Sequence, residues 1–184
     1  MKDSKKLAHK KILQEYAFVK TDLEYKQSIL DENQKEFFSQ VYENHKPDKS
    51  DEGKSCSIKK KKFDWKTLGP EVQEKAKKLY REISKLVHPD KDPNGVYQDL
   101  FEKSADAYVN GRLMDLYEIC DNLSIEYVIS DAEIPVIESE ISEKRKAIIA
   151  IEKSIIYIWS QLEGDEETRK ELVNQFIEKT KNKL

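Results

Sequence analysis

Residues 81–94 read "REISKLVHPDKDPN". A basic amphipathic stretch runs into His88-Pro89-Asp90, with Pro93 and Gly95 close behind. This stretch decides the fold, because a proline at 89 pushes His88 out of the α region and fixes where a helix must end. A near-copy, "NHKPDKSDEG", stands at residues 44–53. There Lys46 separates His45 from Pro47, and no basic amphipathic helix leads into the motif. The first stretch therefore reads as a turn between two helices, the second as the start of a linker.

Working outward from His88, Val72, Ala76, Leu79, Ile83 and Leu86 step by four, three, four and three. That stripe predicts a helix over residues 70–87, opened by Gly69-Pro70. On the other side, a helix over about 96–110 carries Leu100, Phe101, Ala105 and Tyr108 on a similar stripe. After the Asn110-Gly111 break, "GRLMDLYEICDNL" predicts a short further helix.

The flanks are longer. Over residues 5–44, Tyr16, Leu23, Leu30 and Phe37 recur every seven residues, with Leu13, Val19 and Val41 between them. Lys26, Gln27, Asn33 and Gln34 interrupt the second row, so this is a weak coiled-coil strand. Beyond Pro135 one heptad row holds Ile134, Ile141, Ile148, Ile155 and Leu162, and the other holds Ile137, Ile151 and Ile158 with Lys144 intruding. That pattern predicts one long coiled-coil helix, followed after Gly164 by a last helix that opens on "DEE". Residues 45–62 lack apolar periodicity and read as a flexible basic linker.

Composition agrees with an all-α chain. Charged residues make up 38% of the 184, which suits long surface-rich helices better than one large core. Net charge is only −3, yet residues 59–91 hold eleven Lys/Arg against five Asp/Glu, a basic field that steers an acidic partner. Cys56 and Cys120 are far apart, outside any metal or disulfide spacing. "AIIAIEKSIIYIW" is cut by Glu152 and Lys153 and is too short and too charged to span a bilayer. The chain reads as soluble and cytoplasmic, with no membrane partner, no cofactor and no metal. It has three histidines (9, 45 and 88) and lacks phosphate-loop glycines, a serine elbow and clustered thiols, so it reads as no enzyme.

"KKLYREISKLVHPDK" followed by "LFEKSADAY" resembles the J-domain, the module of DnaJ-type co-chaperones. Tyr80-Arg81 stands eight and seven residues before His88, Lys91 follows the aspartate, and Phe101 and Ala107-Tyr108 fall where that family has core positions. The resemblance covers residues 63–123. It implies a helical hairpin with the His-Pro-Asp loop at its tip, which stimulates ATP hydrolysis by a heat-shock protein 70 (DnaK-type) chaperone and does no chemistry itself. On the residues themselves, Lys77, Arg81 and Lys85, with Lys78, would form a basic strip for an acidic partner groove. Asp90 would act as a carboxylate acceptor, with Pro89 fixing the backbone and His88 shaping the turn. The family's first helix is reduced here to "FDWKTLG" (63–69), with Trp65 and Leu68 as anchors, and the family's Gly/Phe linker and zinc region are absent.

The domain reading is thus residues 1–44 a long helix, 45–62 a linker, 63–123 the J-domain-like hairpin, and 124–184 a coiled-coil helix and a terminal helix. The two flanks are expected to pair as an antiparallel coiled-coil stalk, with parallel homodimerisation through the isoleucine seam as the competitor. Two other functions stand beside the co-chaperone. "KKKKFDWK" sets aromatics beside a lysine run, as a nucleic-acid binder would, although the net acidic chain disfavours it. A coiled-coil adaptor without chaperone-stimulating activity is the second.

Overall fold

In the computed structural model the described residues are 2–44, 65–91 and 94–181. Among them the chain is all-α, without a strand. The helices are α1 (Lys2–Asn44), α2 (Pro70–Val87), α3 (Gln98–Val109), α4 (Leu113–Asn122), α5 (Ile134–Glu152), α6 (Ile155–Ser160) and α7 (Glu166–Lys181), with a short 3-10 turn at Trp65–Thr67. No helix among the described residues is long and apolar enough to cross a membrane.

The chain divides into two compact units, each assembled from two stretches: Met1–Tyr16 with Ile58–Ser142, and Ala17–Ser57 with Glu143–Leu184. In the first unit α2 and α3 form a hairpin, and α4 lies against both. The boundaries of α2 follow from its prolines. Pro70 occupies the first turn, and His88 adopts φ −62°, ψ 136°, the extended geometry that Pro89 demands. Val72, Ala76, Leu79 and Ile83 are buried as the stripe predicts. The last step is four rather than three, so Val87 is buried and Leu86 is exposed. A straight helix keeps one face with 3.6 residues per turn and drifts off a strict heptad.

On α3 the fully buried positions are Ser104 and Ala107, while Leu100, Phe101, Ala105 and Tyr108 are half-buried. Small side chains let another helix approach closely here, and α3 packs on both α2 and α4. Gly111, at φ +71°, ends α3: the Arg112 amide reaches Ala107 O at 2.9 Å and the Gly111 amide reaches Tyr108 O at 3.4 Å. This double closure needs the left-handed residue that glycine supplies without strain.

α4 is the most buried element, with Leu113, Met114, Leu116, Tyr117, Ile119 and Cys120 all inside. It covers the hairpin that "FDWKTLG" is too short to cover. Among that segment's described residues, buried Trp65 is the anchor: it donates its indole N–H to Tyr108 O at 2.6 Å and stacks on the Tyr108 ring, which stacks in turn on Tyr80. Tyr16 of α1 is buried and donates to Asp115 at 3.2 Å. Glu133 is buried too, accepting from the Tyr117 hydroxyl and, at 2.6 Å, from the Ser130 amide.

In the second unit Phe37, Trp159, Val173 and Ile177 form the core, with Phe38 and Phe176 edge-on around Phe37. The Arg169 guanidinium lies 4.2 Å from the centre of the Trp159 ring. Asp165 opens α7 by accepting from the Thr168 amide at 3.1 Å and from its hydroxyl at 2.7 Å.

Two expectations about the flanks are corrected. The long helix from 134 to 162 is broken: α5 ends at Glu152, and Ser154 restarts the chain as N-cap of α6, accepting from the Tyr157 amide at 3.3 Å. The buried position then moves from the heptad's Ile158, which is exposed, to Trp159. The pairing in this unit also runs parallel rather than antiparallel. Lys26 meets Glu152 at 3.3 Å and Phe37 meets Trp159, so both partners advance in the same direction. Residues 45–62, read above as a linker, lie outside the described residues. Ile137, Ile141 and Ile148 of the isoleucine seam are already buried within the single chain.

Candidate protein-interaction site

Among the described residues, the turn that closes the α2–α3 hairpin makes local hydrogen bonds. The His88 amide closes α2 on Ser84 O at 3.1 Å, and the Lys91 amide returns to His88 O at 2.8 Å. The His88 ring stands edge-on to Phe101, 5.4 Å between centres, which ties the turn to α3. Its Nδ1 accepts the Asp90 amide at 3.2 Å and lies 3.4 Å from the Asp90 carboxylate. Pro89 is exposed, and the Asp90 side chain is 89% exposed. Backbone and ring therefore hold the turn, while the carboxylate faces outward.

The predicted basic residues do not all stand alike. Lys77, Arg81 and Lys85 are exposed along one flank of α2, spanning about 12 Å at 1.5 Å per residue. Lys78 is exposed next to them and lies 4.0 Å from Glu82, an i,i+4 pair of small energetic weight. Lys91 is turned back: its ammonium donates to Lys85 O at 2.9 Å and satisfies one of the carbonyls a helix end leaves open. The hairpin thus brings an exposed carboxylate, a row of three cations and a C-terminal helix cap to one end and flank of α2.

Sequence reasoning missed Leu86, half-exposed beside Lys85, because the heptad placed it inside. It also missed that Tyr80 belongs to a three-ring stack with Tyr108 and Trp65, although all three aromatics were visible as residues. Lys59 to Lys62, His45 and Cys56 lie outside the described residues. Among the described residues no group of three or more His, Cys, Asp or Glu is placed to hold a metal ion. Comparison with family models, with curated proteins and with solved structures finds no match to this chain.

Proposed function

We propose that the chain is a J-domain-type co-chaperone: it stimulates the ATPase of a DnaK-type heat-shock protein 70 through His88-Pro89-Asp90 and the Lys77/Arg81/Lys85 flank, in the cytoplasm and without chemistry of its own. The observation that carries this reading is the outward Asp90 carboxylate, held by the His88 turn at the tip of a two-helix hairpin. A solvent-facing carboxylate at the tip offers a directional, charge-assisted bond to a cationic partner group, and the flank offers steering to an acidic one. The paired helices serve as a spacing or targeting element.

The test is steady-state ATP turnover of a purified DnaK-type chaperone with and without the full chain. Wild type is expected to stimulate turnover, and Asp90→Asn and His88→Gln to abolish the effect. Replacing Lys77, Arg81 and Lys85 together by alanine should raise the half-saturating concentration about tenfold or more, most strongly at low salt. No stimulation at saturating wild-type protein overturns the reading.

A further inference from the structure

Residues 125–129 read "IEYVI", a run of β-branched and aromatic side chains inside an all-helical chain. The segment leaves α4 through Ser124, which is held at φ +55° where glycine is usual, with the Ile125 amide closing on Cys120 O at 2.8 Å. From there burial alternates as in a strand: Ile125, Tyr127 and Ile129 are partly or fully buried, and Glu126 and Val128 are exposed, Val128 by 77%. The amides of Glu126, Tyr127, Val128 and Ile129 have no hydrogen-bond partner among the described residues. This is an extended segment with unpaired amides and, among the described residues, no sheet to join.

The segment is nevertheless fixed in place. Tyr127 donates to Asp121 at 3.0 Å and lies against the Tyr117 ring, and the Lys75 ammonium of α2 donates to Val128 O at 3.0 Å. A groove separates it from α2, whose Lys75 and Lys78 line the opposite wall. We propose that this groove receives an extended peptide segment of a partner protein, paired through its main chain to the amides of residues 126–129, with an acidic side chain facing Lys78. Pre-organisation lowers the ordering cost of such strand addition, and the unpaired amides supply its directional bonds. The acidic residue follows from Lys78, whose side chain is 72% exposed and meets Glu82 only at 4.0 Å; of the carboxylates lining the groove, Asp121 is engaged by Tyr127 and Glu126 stands on the segment itself. The site lies away from the hairpin tip and shares only Lys78 with the basic strip of α2.

Random twelve-residue peptides displayed on phage provide the probe, selected on the full chain. The selection is expected to enrich alternating apolar sequences that carry Asp or Glu. A synthetic peptide from it should lose about tenfold or more in affinity when its alternate amides are N-methylated. Val128→Pro should cause a similar loss while leaving the thermal melt of the protein nearly unchanged, since it deletes an N–H that bonds nothing within the fold. Should that variant fold poorly, Lys78→Glu weakens the same peptide without touching the segment. Failure to enrich any sequence, or equal binding by the N-methylated peptide, overturns the proposal. A concentration-dependent dimer in sedimentation that Val128→Pro dissolves also overturns it, by making a second copy of this chain the occupant.

Discussion

At the scale of single residues, Cys120 shows most plainly what burial does here. It is a free thiol, fully buried in α4, and burial pushes its pKa up to about 11, with Asp121 adding to the rise. The phenols of Tyr16, Tyr117 and Tyr127 are raised by the same primary cause. Each raised acid keeps its proton in the fold after the unfolded chain has released it. The associated stability is intact below the unfolded values, near 8.5 for the thiol and 10 for the phenols, and is lost as pH climbs above them. Urea unfolding at pH 7.5 and pH 10 should therefore show wild type losing more stability than Cys120→Ala, by up to about 1 kcal/mol per pH unit above 8.5. Equal losses would mean the thiol titrates as it does in the unfolded chain. From the sequence, spacing argued against a disulfide for this cysteine. It did not show its burial, because one α4 face cannot be ranked against another until α2 and α3 are known to sit on it.

At the scale of elements, α4 is closed from outside itself. Arg112, its N-cap residue, makes no side-chain cap, and Glu140 of α5 accepts from the Leu113 amide at 2.8 Å and the Met114 amide at 3.4 Å. A carboxylate there satisfies open amides and meets the positive end of the helix dipole. Glu140→Ala is expected to cost about 1–2 kcal/mol in denaturant unfolding. Glu140→Gln, which keeps an acceptor, should cost less than half as much; equal costs would put the effect down to lost packing. The ends of α2 were legible because prolines write them into the sequence. The cap of α4 was not, since its donor and acceptor are 27 residues apart. The break after α5 was hidden for the converse reason: the heptad continues through it, and only the local bond from Tyr157 to Ser154 betrays a new start.

At the scale of the whole molecule, the J-domain-like segment depends on residues beyond its own ends. Asp115 takes its bond from Tyr16, Tyr117 donates to Glu133, and Glu140 caps α4. A fragment of residues 63–123 lacks all three partners, so by circular dichroism it should melt at a much lower temperature and less cooperatively than the full chain. A fragment that melts as sharply and as high as the parent would show that the hairpin and α4 stand by themselves. The helical class and the His-Pro-Asp turn could be read from periodicity and proline placement. The parallel pairing of Lys26 with Glu152 and Phe37 with Trp159 could not, because a heptad seam says which residues are buried and nothing about direction.

Because each unit draws on two separated stretches, the order of synthesis matters to this chain in a way it would not for tandem domains. Tyr16 is made 99 residues before the aspartate that receives its hydroxyl. At roughly 5–20 residues per second, Tyr16 is made about 5–20 s before that partner exists. For that interval the buried face of Tyr16 has no partner from the rest of its unit to cover it.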